Sequence, residues 1–274
     1  MASPLTKYQR QPKQSIDLPS KGKWYAPGTL ESFTELEVYS MTASDEIATK
    51  TPDTLLSGNA TASVIKNCIP SIKNPWEIPM TDVYTILSAI RMASYGDSIS
   101  VNNTCTECSE ENKYDVDLQN MIGHFSGGVF IDEFELDNVK FTLRPLNYKE
   151  LNEINKFNFK CQRKLVQSIP LMEDEDVQAE ATQQVYDELN NLKVSTVSTS
   201  VATIEINGEV EKNQNAISEF LKSSESKFYN KVEEMLIENN LAFAVPTTKT
   251  TCSTCGHEAD LNIEMDYSNF FAQG

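Results

Sequence analysis

Apolar residues recur along this chain with two different periods, and the changes of period divide it. Residues 1–40 carry little period. The stretch Asp17-Leu-Pro-Ser-Lys-Gly-Lys-Trp-Tyr-Ala-Pro-Gly28 is dense in turn formers with aromatics between them, and only Leu36, Val38 and Tyr39 suggest a short strand. A helical period begins near residue 42. Thr42-Ala-Ser-Asp45 has the form of a capped helix start, and Thr51-Pro52-Asp53 places proline at a first helical position. Gly58 ends that helix and Asn59 caps the next, with Val64, Ile65 and Cys68 on one face. A loop around Trp76 follows. Thr81 then opens a strong helix on Val83, Ile86, Leu87 and Ile90, closed by Gly96.

The period drops to two near residue 98. Ile99 and Val101, then Tyr114, Val116 and Leu118, alternate, and Phe130–Leu143 reads as a hairpin turning at Asp137-Asn138. Helical spacing returns from Asn147 to Ile169, and again through Val177, Ala181, Val185, Leu189 and Leu192. Residues 195–206, rich in Ser, Thr and Val, fit helix or strand, and Asn207-Gly208 marks a turn. Ile217 to Leu236 is an amphipathic stretch with a break near Ser223-Ser224. Beyond Pro246 only Ala259, Leu261 and Ile263 alternate, before an aromatic tail with Tyr267, Phe270 and Phe271.

Charge narrows the class of partner. The net charge is −17, yet residues 1–27 hold Lys7, Arg10, Lys13, Lys21 and Lys23 against Asp17 alone. So acidic a body repels phosphate backbones, which argues against general nucleic-acid binding. The basic leader suits an acidic partner surface, with Lys21, Lys23, Trp24 and Tyr25 as contacts, or is a solvated tail whose aromatics fold back onto the protein's own core. Phe270 and Phe271 pose the same choice, as a docking peptide or as a cap on the cysteines. No apolar run approaches the ~18 residues of a membrane span, and the first residues lack the apolar core of a secretory signal, so the expected compartment is the cytoplasm where the chain is made.

Four of the six cysteines form two C-x2-C pairs, Cys105/Cys108 and Cys252/Cys255, each leading into a strand. Two thiolates three positions apart in a tight turn occupy two corners of a tetrahedron, and a second pair completes it. The pattern is therefore read as a split zinc ribbon holding a structural Zn2+, although 143 residues lie between Cys108 and Cys252. A disulfide within each pair suits a cytoplasmic chain poorly. Neither pair opens a helix after a strand, as a redox pair does, and His257 is not needed where four thiols exist. Cys68 and Cys161 stand in apolar surroundings and read as buried small hydrophobes. Phosphate-cradling glycine loops and nucleophile elbows are absent, and only His124 and His257 offer a base near neutral pH. Glu173–Asp176 reads as a solvated helix start.

The residues so far resemble a known family. Asp17 to Tyr25 with Pro27-Gly28, Tyr39 to Glu46, Thr51 to Ala60, Cys68 to Trp76, Ile90 to Gly96, Cys105 to Tyr114, Phe141 to Tyr148 and the Phe270-Phe271 ending are similar to T4-type bacteriophage baseplate hub and tail-assembly proteins. That resemblance is dense from 16 to 118 and loose from 160 to 245. It implies a non-enzymatic role in building a contractile tail, in the central hub beneath the tail tube. It implies other hub proteins as partners, or an assembly factor acting with the tape-measure protein. No catalytic residue and no small-molecule substrate come with it. A zinc-ribbon adaptor on nucleic acid is the reading from another class, opposed by the charge.

The expectation is thus an α+β protein: an extended basic arm with a short strand (1–40), a helical unit (41–97), a β region with zinc knuckles (98–146 with 247–274), and a helical insertion (147–246). Removal of residues 1–27 is expected to leave the fold intact.

Overall fold

The computed structural model describes residues 10–50, 58–261 and 263. The chain divides into two compact units, Met1–Gly128 with Phe243–Gly274, and Val129–Ala242. Helices and small antiparallel sheets make both, as the periods predict.

In the first unit β1 (Pro12–Ile16) pairs antiparallel with β2 (Leu36–Tyr39). Helix α1 (Ala43–Thr49) starts with a reciprocal cap: the Asp45 N–H donates to Thr42 Oγ1, and the Thr42 N–H donates to the Asp45 carboxylate at 2.8 Å. Helix α2 (Asn59–Cys68) begins one residue earlier than its sequence suggests. Gly58 takes the cap position in a left-handed conformation (φ 75°), and Asn59 is already helical. Val64, Ile65 and Cys68 are fully buried, as expected. The predicted start at Thr51-Pro52-Asp53 lies outside the described residues. Helix α3 (Met80–Tyr95) ends at Gly96 (φ 97°) and is buried around most of its circumference, with Val83, Ile86, Leu87 and Ile90 at its centre.

Residues 10–40 are not a detached arm. Ile16, Leu18, Leu36 and Val38 are buried in the core of this unit. Arg10 donates to the carbonyls of Ser40 (2.8 Å) and Asn67 (2.6 Å), and Gln14 to that of Ala89 (2.8 Å). The sequence understates this because the four apolar residues are spread over two short strands and the turn-rich loop between them, too far apart to share one period.

A hairpin of β3 (Ser98–Thr104) and β4 (Glu111–Asp117) follows. Leu118, read as the end of that alternation, instead opens helix α4 (Leu118–Gly127). Asp117 caps it, and Leu118, Met121 and Phe125 are its buried face.

The second unit begins with β5 (Glu133–Leu136) and β6 (Val139–Leu143), joined at Asp137 and Asn138, both left-handed (φ 52° and 61°) as a tight hairpin turn requires. This hairpin pairs with β7 (Val201–Ile206) and β8 (Glu209–Glu211) in one sheet ordered β5-β6-β7-β8, rather than with the strands beside the cysteines. Between β6 and β7 run α5 (Tyr148–Arg163), a π turn at Lys164–Ser168, a 3-10 turn at Ile169–Leu171, and α6 (Glu175–Thr199). The ambiguous stretch 195–206 is both things in turn: the last turn of α6, then β7. Helices α7 (Gln214–Ser223) and α8 (Ser226–Ala242) are separated at Ser224, as predicted. Phe141, Leu143, Val201 and Ile204 of the sheet pack on Ile217, Leu221, Val232 and Met235.

The chain then returns to the first unit with β9 (Thr248–Thr251) and β10 (Glu258–Leu261), a second antiparallel hairpin. Strand β9 was invisible in the apolar pattern, being Thr-Lys-Thr-Thr. Among the described residues no helix is long and apolar enough to cross a membrane.

Candidate metal centre

Each cysteine pair occupies the turn of a hairpin, Cys105/Cys108 between β3 and β4 and Cys252/Cys255 between β9 and β10. The two turns share one backbone design. The Cys105 N–H donates to Glu110 O (2.8 Å) and the Ser109 N–H to Cys105 O (2.9 Å). In the second turn the Cys252 N–H donates to His257 O (2.8 Å) and the Gly256 N–H to Cys252 O (3.0 Å). The residue after each pair is left-handed, Ser109 at φ 59° and Gly256 at φ 74°. That turn aims both sulfurs of a pair to the same side, so each hairpin presents half of a coordination shell.

The halves meet. Cys105 Sγ lies 3.7 Å from Cys255 Sγ, and Cys108 Sγ lies 3.6 Å from Cys252 Sγ; all four sulfurs fall within 4.8 Å of one another. A tetrahedral ion with sulfurs at ~2.3 Å needs S···S edges of ~3.8 Å, whereas a disulfide needs ~2.05 Å. The shell therefore fits a metal ion, and all four residues are free thiols. Cys105 and Cys252 are buried, while Cys108 and Cys255 face outward.

A buried amide ties the turns together. Asn112 of β4, 5% exposed, donates through Nδ2 to Cys252 Sγ (3.4 Å) and to Glu110 O (3.1 Å). Its Oδ1 accepts from the N–H (3.0 Å) and the hydroxyl (2.8 Å) of Ser253. One side chain thus holds a sulfur of the cluster and both turn backbones, the place that outer-shell groups take in metal sites. The backbone N–H groups of Cys255 and Thr254 pull the Cys252 thiol down to about 6, toward the thiolate that binds a cation. At Cys108 the Glu110 N–H acts the same way, but the crowded neighbouring thiols and burial outweigh it and push that thiol up to about 12. Four sulfurs this close cannot all ionise unless a cation compensates them. His257 is not part of the shell; its Nε2 lies 3.5 Å from Thr106 Oγ1.

The second predicted group is arranged differently. Lys21 and Lys23 are exposed, and Lys23 Nζ sits 5.0 Å above the ring of the half-buried Trp24. Tyr25 turns inward, and its hydroxyl donates to Asp82 (2.9 Å). Asp82, in the first turn of α3, is fully buried and also accepts from the Ser20 N–H (2.8 Å) and hydroxyl (2.5 Å). This clasp fixes a loop with Lys21, Gly22 and Trp24 all left-handed. Tyr25 is thereby an anchor of the chain's own fold. Phe270, Phe271 and Tyr267 lie outside the described residues.

Sequence reasoning missed Asn112 and Asp82. Each was signalled by a polar residue in phase with an apolar face: Asn112 with Tyr114 and Val116 along β4, and Asp82 with Ile86 and Ala89 along α3.

A family model described as T4 bacteriophage base plate protein matches residues 11–272. Comparison with curated proteins and with solved structures returned no match.

Proposed function

Because the chain belongs to the T4 bacteriophage base plate protein family, we propose that it is a structural or assembly component of the baseplate hub, holding other tail proteins, and that its four cysteines carry one Zn2+ that locks the first unit. The observation carrying this reading is the convergence of Cys105, Cys108, Cys252 and Cys255 in a protein matched to that family along nearly its whole length. An all-sulfur tetrahedral donor set suits zinc or iron. Four protein ligands leave no position for substrate, which supports a mechanical rather than a catalytic role. The net charge of −17 supports protein partners over nucleic acid. The exposed Lys21 and Lys23, held on the rigid loop above Asp82, suit an acidic face of such a partner. Assembly takes place in the host cytoplasm.

Metal analysis of purified protein should find one zinc per chain and no thiolate-to-iron absorption in the visible. Cys108→Ser or Cys255→Ser should release the ion and lower the melting temperature; unchanged metal content refutes the site. Mass spectrometry of purified virions tests the hub role: retention supports a hub component, and absence points to an assembly factor acting with the tape-measure protein.

A further inference from the structure

The sheet of the second unit ends in a strand of three residues. In the order β5-β6-β7-β8, strand β8 (Glu209–Glu211) is paired on one side only, and no described residue pairs with its outer edge. The turn before it, Asn207-Gly208, has both residues left-handed (φ 52° and 85°), the two-residue form in which the flanking Ile206 and Glu209 exchange both of their backbone hydrogen bonds. Bonded and non-bonded pairs alternate along an antiparallel ladder. The N–H and C=O of Val210, which stands opposite Glu205, therefore point away from β7. Val210 is 49% exposed.

Beside this edge lies a cavity of about 560 Å³, in the size range of ligand clefts. Ile204 and Ile206 of β7 line it together with Ile217 and Phe220 of α7, and so do Glu209 and Glu211 of β8. Glu209 stands opposite Ile206 and Glu211 opposite Ile204, so these four side chains share one face of the sheet. Both glutamates are exposed. Glu211 accepts the Lys212 N–H (2.8 Å) and the Asn213 N–H (2.7 Å) through one oxygen, and the Glu209 carboxylate has no ion-pair partner among the described residues. Charge on a short edge strand also deters unwanted pairing. That role calls for no cavity beside the edge.

We propose that this edge and cavity bind an extended segment of another protein, one that carries two basic residues separated by a single apolar residue. The central residue of that segment exchanges both backbone hydrogen bonds with Val210, and its side chain lies beside the exposed Val210. The residues before and after it fall on the opposite face, next to Glu209 and Glu211, with Cβ atoms about 4.5–5.5 Å away. There an Arg or Lys lays its apolar stem along Ile204, Ile206 and Phe220 and pairs its charged head with a carboxylate. A second copy of the same edge is the wrong occupant, since antiparallel pairing about Val210 sets Glu209 against Glu211 twice, and like charges directly opposite destabilise a strand pair. The site shares no residue with the cysteine cluster and does not depend on a bound ion.

Titration of the 15N-labelled full chain with the synthetic peptide acetyl-Ser-Thr-Arg-Val-Arg-Thr-Ser-amide tests this. The amide signals of Val210 and of the cavity residues should shift and saturate, and the peptide with Glu in place of both Arg should leave them unmoved. Glu209→Arg should raise the dissociation constant for the basic peptide by at least roughly tenfold. Val210→Pro deletes the outward N–H and leaves the ladder to β7 intact, and it should weaken the same peptide. Both positions are exposed, so both variants should melt as the wild type does; if Val210→Pro does not, Glu209→Arg carries the test. Shifts confined to other acidic surfaces, equal binding of the basic and acidic peptides, or binding undiminished by Glu209→Arg overturns the proposal.

Discussion

Asp82 lies among hydrogen-bond donors of the loop before it. Burial pushes its carboxyl up to about 6, although hydrogen bonds from Ser20, Tyr25 and Thr81 favour the anion. A folded-state value above the unfolded one means that the folded chain holds its proton longer. The group's contribution to stability is therefore complete below about pH 4 and is lost as pH rises to about 6, a change of about 3 kcal/mol. Asp82→Asn removes this titration, so between pH 4 and 6 the melting temperature of the variant relative to wild type should rise with pH; parallel curves refute the assignment. Asn112 is the other residue on which much rests. Asn112→Ala leaves all four sulfurs in place but frees Cys252 and the Ser253 turn, and zinc affinity measured by competition with a chelator should fall about 10–100-fold.

At the level of elements, the stretch with the weakest period has a firm structural role. Strand β1 supplies Ile16, the loop after it supplies Leu18 and the Ser20 and Tyr25 donors to Asp82, and all are lost with residues 1–27. That deletion should lower the melting temperature steeply, because it uncovers Leu36 and Val38 and leaves Asp82 buried without those donors. An unchanged melting curve would mean that β1 contributes nothing to the core. The knuckles show how equivalent geometry arises from different residues: Gly256 takes the left-handed position freely, whereas Ser109 does so at a conformational cost. Helix α4 shows the reverse. Its cap, Asp117, and its buried Leu118, Met121 and Phe125 were written in the chain, yet alternation continuing through Leu118 concealed where the strand stopped.

For the whole molecule, the consequence of the cluster is topological. An ion held by Cys108 and Cys252 closes a loop that contains the entire second unit. By the chain-entropy argument used for disulfides, closing a loop of this length restricts the unfolded state by about 5 kcal/mol, so the effect of the proposed ion on folding would exceed its local contacts. The second unit has its own sheet, helices and core and contains no ligand. A strong chelator should therefore separate the melting into two transitions, lowering that of the first unit and leaving the second near its original temperature. A single transition shifted as a whole would show that the two units unfold together.

The order of residues along the chain settles the kinds of element and several of their ends. The Thr42 cap, the Gly96 stop, the turns at Asp137-Asn138 and Asn207-Gly208 and the break at Ser224 follow from local backbone chemistry, which acts over a few residues and so leaves its mark within a few residues. The two cysteine pairs were legible as candidate ligands for the same reason, since two thiols three apart in a turn are a local pattern, and the structure brings their four sulfurs within 4.8 Å of one another. Which pieces belong together is set by long-range packing. It set the 130–143 hairpin against β7 instead of the cysteine strands, folded residues 10–40 into a core, and chose Asn112 and Asp82 as the polar ties. Those choices depend on burial and on partners many residues away, and a linear pattern records a residue's own period but not the residue it will meet.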